Sequence, residues 1–427
     1  MKKLCKTVDI TDRNFVIQAI QEYLSNKSNK DIKKRADIQR LFKSHKGKDI
    51  PETIGNIADD LIDGIKNQNL NLKPIIVSER YDTSSRKMRI IAVEECRQQL
   101  YDQIAFKGLN ELMCKVGEYQ CTCLRNQEKT IYWKTKEKDG SWTQHKSTKI
   151  VGRGQEWAMN VVYGWWQDQE NQFCVKMDIH HNYASIDHKC LDQYLTRYIK
   201  NDSLMWLIDQ LIATTPKECM EHEGAGLPIG SVLSIGLDAV YLSQLYHYLM
   251  EQCFRVRRRQ RKKICNHVLM WMDDIYIFTR SEKDAMEAAR RCISYCRDCL
   301  KLQIKPDWHL IEKKIGKTEK SYVDCVGFRI YPDHITLRRR NYVKARENLK
   351  RGRKSMDIDL ARTIMSNRGE IMACDSFRFR RKYHAKTVMR KARRTISKYD
   401  RSKIQREAAG RNDQQAGRSD NRADRTQ

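Results

Sequence analysis

The chain has 427 residues, and its 82 lysines and arginines outweigh 54 acidic residues to give a formal net charge of +28. That length accommodates two or three subdomains, and the charge favours a polyanionic partner, either nucleic acid or an anionic membrane. No run of eighteen apolar residues occurs, since even segment 226–250 carries Asp238, Gln244 and His247, which argues against a membrane enzyme.

Lys2 and Lys3 open the chain without an apolar stretch behind them, so no signal peptide is expected. The 15 cysteines are then expected as reduced thiols of a cytoplasmic protein. Cys292, Cys296 and Cys299 share one helix face, a spacing that suits core packing. Cys121 and Cys123 lack a matching second pair, and His180-His181 lacks the i, i+4 spacing of a helical metal site, so no zinc is expected.

Residues 1–70 have apolar positions at helical spacing around Phe15, Ile17, Ile20 and Leu24, and the charged run 27–35 suits a solvated face or linker. A strand is expected from Pro74 through Arg80, a turn over 81–85 and a returning strand from Lys87. Lys87 and Arg89 on that hairpin suit phosphate oxygens, although an ordinary basic hairpin reads the same way. A helix is expected from about 94 to 114.

Asp139-Gly140, between Ile131-Tyr132-Trp133 and Trp142-Thr143, signals a second hairpin. Its aromatic and basic residues suit nucleic acid, and an exposed structural hairpin fits equally well. Gly152-Arg153-Gly154 then makes a flexible basic turn. Phe173-Cys174-Val175-Lys176-Met177-Asp178-Ile179 reads as an apolar strand ending on an acid, and Asp187 reads as a helix cap. A buried helix is expected over 202–214, then a Gly-Pro-Gly loop (Gly226, Pro228, Gly230) leading into a long helix to about Met250.

After a basic block from Arg255 to Lys263 comes Val268-Leu269-Met270-Trp271-Met272-Asp273-Asp274-Ile275-Tyr276-Ile277-Phe278. Two short apolar runs flank adjacent carboxylates, predicting a β-hairpin with both acids at its tip. Like charges held that close raise each other's pKa unless cations neutralise them, and all-oxygen ligands favour a hard ion such as Mg2+. Alone, the pattern also fits a solvated acidic turn. A helix over 282–301, a strand over 325–331 with its turn at Pro332-Asp333-His334, and basic helices over 338–399 complete the pattern. Phe377, Phe379 and Tyr383 are available there for packing. The tail beyond Arg401 is expected to be disordered.

A strand ending in Asp178, the Gly-Pro-Gly loop with its helix, and the Asp273-Asp274 hairpin follow one another in an order that resembles the palm of reverse transcriptases. The third motif of that family is usually Tyr-x-Asp-Asp. The resemblance covers about 74 to 339 and is specific in combination. It implies an α+β right-hand polymerase with fingers, a palm of antiparallel sheet plus helices, and a helical thumb. Boundaries follow at 1–70 (basic helical extension), 71–339 (fingers and palm), 340–400 (thumb) and 401–427 (basic tail).

The resemblance also implies an RNA-directed DNA polymerase acting on an RNA template, a DNA or RNA primer and dNTPs. Asp178, Asp273 and Asp274 would be catalytic and, with Ile179, would hold two Mg2+ ions, with Mn2+ as a substitute. Tyr183 would block a 2′-hydroxyl and so select dNTPs. Lys87, Arg89, Gly230 and Lys305 would contact the nucleotide, and Gly327-Phe328 would belong to the primer grip. Trp271-Met272 departs from the family's Tyr-x, with a consequence for primer-end contacts.

Ile229-Gly230-Ser231-Val232-Leu233-Ser234 resembles the aliphatic-Gly-x-x-x-Ser pattern of diversity-generating retroelement enzymes, though Ile235 replaces their glutamine. That likeness implies a bacterial or phage origin, loosened discrimination at adenines and a small basic accessory protein. Retron or other phage-defence enzymes, group II intron enzymes and a non-catalytic RNA-binding relative are the alternatives.

Overall fold

The computed structural model describes residues 4–25, 27, 35–82, 87–116, 126–136, 142–152, 154–257, 259–315 and 321–402. Several expectations fall outside these residues: the charged run 28–34, the turn at 83–86, Cys121 and Cys123, the Asp139-Gly140 turn, Arg153 and the tail from 403.

The chain divides into two compact units, one of residues 1–158 and 169–312, the other of 159–168 and 313–427. In the first, helices Arg13–Ser25 and Ile50–Lys66 pack together, and the former packs on helix Cys96–Gly108. Their apolar residues join the same hydrophobic cluster as the central sheet, from Val16 and Ile57 through Tyr101 to Val175 and Ile277. The helix expected over 94–114 is two, because the chain turns at Leu109 before Asn110–Val116.

Strands β1 (Ile76–Asp82) and β2 (Lys87–Val93) form the first hairpin, and β3 (Asn126–Lys136) and β4 (Trp142–Gly152) the second. The central strand β5 (Phe173–Asp178) is followed by short helix Asn182–Ser185 and helix His188–Tyr198. Asp187 caps the latter as expected, its carboxylate accepting the Cys190 N–H at 2.7 Å. Helices Asp202–Ala213 and Val232–His247 come next, the second continuing into a wider turn over Tyr248–Gln252.

The basic block forms a hairpin of its own, β6 (Phe254–Arg257) with β7 (Gln260–Lys263). Then come β8 (His267–Trp271), β9 (Asp274–Thr279), helix Glu282–Cys299 and β10 (His309–Glu312). The central sheet is antiparallel in the order β10-β5-β9-β8. β9 is buried at every position from Ile275 to Thr279, so both its faces are covered, and helix Glu282–Cys299 packs on β9 and β5. Cys292 and Cys296 are buried on that helix, whereas Cys299 is exposed and does not share their packing.

In the second unit, the strand expected over 325–331 is broken. β11 (Val323–Cys325) and β12 (Phe328–Ile330) are joined by Val326-Gly327, both at positive φ, and β13 (Ile335–Leu337) completes a three-stranded sheet. Gly327, at φ +90°, lets the chain reverse where an unbroken strand would have continued. Helices Arg339–Lys354, Ile358–Ser366, Arg368–Ala373 and Phe377–Lys382 follow, with a last helix over 385–402. Phe379 is buried against Tyr342 and Tyr383, with ring centroids 4.9 and 5.0 Å away, whereas Phe377 is 68 % exposed and takes no part. Among the described residues, no helix is long and apolar enough to cross a membrane.

Candidate active site

Asp178 is the last residue of β5, and the register sets it directly opposite Asp274, the first residue of β9. Between Trp271 and Asp274 the chain reverses through Met272-Asp273, with Met272 at φ +52°. Asp273 therefore occupies the turn itself and Asp274 the strand beside it. The turn is tied to the end of β5, because the Ile179 N–H donates to the Asp273 carbonyl at 3.1 Å. Ile179 is buried, so its backbone carbonyl is the only group it offers a ligand.

Burial, reinforced by the charges of Asp178 and Asp274, pushes Asp273 up to about 6 against the opposing pull of Lys305. Lys305 pairs its ammonium with Asp178 and donates its N–H to the Asp178 carbonyl at 2.9 Å. Its partner in this structure is thus a carboxylate of the centre. Lys176 lies 3.9 Å from Asp274, and the Tyr276 hydroxyl donates to Asp274 at 3.3 Å. The sequence reasoning did not select Lys176 or Tyr276, although a signal was present. Each stands two positions from an acid on its own strand, and alternate residues of a strand share a face.

Three carboxylates, two of them with ammonium neighbours, form a donor set made wholly of oxygen. Carboxylate oxygens gathered this closely suit a hard divalent ion, and the residues fit one.

Tyr183 is half-buried against the main cluster, in short helix Asn182–Ser185. That segment is held by a buried hydrogen bond from Asn182 to Asp238 (2.7 Å) and by the Leu227 N–H to the Tyr183 carbonyl (2.8 Å). Gly230, at φ +127°, lies so close to β2 that a Cβ would stand 2.8 Å from the Ala92 carbonyl. The Ala92 N–H donates to the Ile229 carbonyl at 3.0 Å, which fastens the Gly-Pro-Gly loop to the strand carrying exposed Arg89. Lys87 opens that strand, and its side chain lies outside the described residues. Gly327 and Phe328 belong to the second unit, where Phe328 is buried and the Gly327 carbonyl accepts the Arg338 N–H at 2.9 Å.

Behind the loop sits a feature with no clear signature in the sequence. The Ser231 hydroxyl caps helix Val232–His247 and donates to buried Asp102 at 2.5 Å. Beside Asp102 lies Glu94, 2 % exposed, its carboxyl set against that of Asp102. Burial and the neighbouring carboxyl push Glu94 up to about 10, and burial pushes Asp102 up to about 6. Both border a cavity of about 180 Å³ that reaches Gly230.

Residues 82–321 match the family model described as Reverse transcriptase (RNA-dependent DNA polymerase). The chain belongs to that family. The matched segment is more than half of the chain and includes Asp178, Tyr183, Gly230, Asp273, Asp274 and Lys305. No curated relative matches it. This reverse transcriptase therefore has the right-hand polymerase fold, in α+β form, and is an RNA-directed DNA polymerase, a nucleotidyltransferase. Its substrates are a nucleic-acid template, a primer and dNTPs, and the family generally works with divalent metal ions.

Proposed function

We propose that Asp178, Asp273 and Asp274, with the Ile179 carbonyl, hold two Mg2+ ions, and that the enzyme is of the diversity-generating retroelement type. The observation that carries the first part is the pairing of Asp178 with Asp274 beside the Asp273 turn. When bound, the ions supply activation of the primer 3′-hydroxyl and charge stabilisation for the departing pyrophosphate. The chain's own residues position and balance the charges. Asp273 holds its carboxylate at the tip, Tyr276 orients Asp274 by hydrogen bond, and Lys176 on β5 and Lys305 in the segment before β10 neutralise the centre.

Tyr183 is the steric guard against a 2′-hydroxyl, and its anchored helix supports that role. Lys87 and Arg89 hold the triphosphate, and the bond from Ala92 to Ile229 keeps their strand beside the Gly230 loop. Residues 71–339 serve as fingers and palm, with Gly327-Phe328 gripping the primer, and 340–400 as a thumb that grips duplex through backbone charge.

The deciding experiment is Mg2+-dependent dNTP incorporation on an RNA template, with Asp273→Asn plus Asp274→Asn as the comparison. Incorporation by wild type alone is expected. Equal incorporation by both removes the metal assignment. The retroelement type is supported by Ile229, whose side chain offers a template base no hydrogen bond. Sequencing of cDNA made on a defined template should show errors enriched at adenines, and an even error spectrum removes that part.

A further inference from the structure

The segment that follows β5 is bound to a loop distant in sequence. The Glu221 N–H donates to the Ala184 carbonyl (2.9 Å), the Gly226 N–H to Ile186 (2.8 Å) and the Leu227 N–H to Tyr183 (2.8 Å). These bonds carry the Glu221 side chain to His181, where Nδ1 and Oε2 are 2.9 Å apart. His180 is fixed from the other side, its N–H donating to the Gln303 carbonyl at 2.7 Å.

Consecutive side chains of an extended chain point to opposite sides. Here they do not. His181 takes φ +42° and ψ +43°, a left-handed conformation that is unfavourable for a residue bearing a Cβ. The reversal stacks the two imidazoles, with centroids 3.9 Å apart and planes at 24°. One donor atom from each of His180, His181 and Glu221 then lies within 4.8 Å of the other two.

We propose that His180, His181 and Glu221 form a binding site for a divalent transition ion of the zinc class. Two imidazoles and one carboxylate suit Zn2+, Co2+, Ni2+ or Cu2+, whereas Mg2+ prefers oxygen alone. Three protein ligands leave one position for water or an anionic oxygen. His181 and Glu221 are 63 % and 38 % exposed, so an ion reaches them without unfolding. A simple His–Glu ion pair accounts for the 2.9 Å contact. The left-handed turn at His181 is what brings both imidazoles to the same side of the chain as Glu221. A bound ion ties loop 214–226 to the stretch between Asp178 and His188, and so stiffens the helix that carries Tyr183. Its donor set differs from the all-oxygen palm centre, so the two sites select different ions.

The test is a Co2+ titration of the full-length, EDTA-treated protein, followed by equilibrium dialysis and visible absorption. Wild type should bind one tight equivalent, ahead of any ion taken by the carboxylate centre, that gives a d–d band without thiolate charge transfer, which separates it from cysteine-bound ion. Glu221→Gln, close in shape, should weaken that equivalent by at least about 100-fold, as should His181→Ala. Asp273→Asn plus Asp274→Asn should retain it. Zn2+ should raise the melting temperature of wild type and leave that of Glu221→Gln unmoved, which separates lost binding from lost folding. Equal Co2+ affinity and stoichiometry in wild type and Glu221→Gln overturns the site, and so does loss of the equivalent in the Asp273/Asp274 variant.

Discussion

This reverse transcriptase carries two carboxyl clusters, and they handle like charge in opposite ways. Asp178, Asp273 and Asp274 sit at the mouth of a hairpin, partly open to water, with Lys305, Lys176 and the Tyr276 hydroxyl around them. Glu94 and Asp102 lie buried beneath the Gly230 loop, their carboxyls set against each other. The first cluster is met by ammonium groups, and in the second burial keeps Glu94 protonated. Exposure decides between them, because an ammonium or a metal ion needs hydration or several ligands, whereas a proton needs neither.

The largest expected effect comes from removing charge at the open cluster. Asp273→Asn should lower dNTP incorporation about 1000-fold or more, since metal-borne charge stabilisation is worth several kcal/mol. The same variant should melt at a higher temperature than wild type in EDTA at pH 7 to 8. The folded enzyme holds Asp273 near 6, above its ordinary 3.8, so stability is lost as pH rises between those values. Asparagine has no proton to release. A variant that is inactive and also less stable would contradict the claim that this cluster is held against repulsion.

Glu94→Gln tests the closed cluster. The folded state keeps the Glu94 proton up to about pH 10, whereas the ordinary value is 4.5, so wild type loses stability as pH rises through that window. The glutamine variant should gain on wild type by up to about 1.4 kcal/mol per pH unit, read from urea unfolding at several pH values. A constant difference across pH would show that Glu94 is ionised and paired. Ser231→Ala should cost about 1 to 3 kcal/mol of stability, because it removes a helix cap and leaves buried Asp102 without its donor. Lys305→Met should have the smallest effect, about 1 kcal/mol or less, since both members of its pair are about a third exposed. That loss should be recovered when Mg2+ is added, and a loss that Mg2+ does not recover would separate Lys305 from the cation-balancing role.

Much of the palm was legible in the sequence because its signals are local. An apolar run ending on Asp178, the Gly-Pro-Gly loop and the paired acids between short apolar runs each declare themselves within about ten residues. Asp187 was readable as a cap for the same reason, and its bond to Cys190 spans three positions. The single strand expected over 325–331 misled because an apolar run does not reveal that Val326-Gly327 adopts positive φ. Phe377 misled because aromatic character says nothing about which side of a helix meets the core.

The sequence by itself determined which residues carry charge, which runs can be strands, and that an acid pair would stand in a turn. Only the tertiary structure decided the partners. Asp178 faces Asp274 through sheet register, Lys305 reaches Asp178 from 127 residues away, and His181 meets Glu221 across 40. It also decided that Glu94, just before helix Cys96–Gly108, and Asp102, in its middle, would be buried together behind the Gly230 loop. The physical reason is common to all four. Burial and proximity set the electrostatics of a carboxyl or imidazole, and both depend on chain packing between segments that no sequence window contains together.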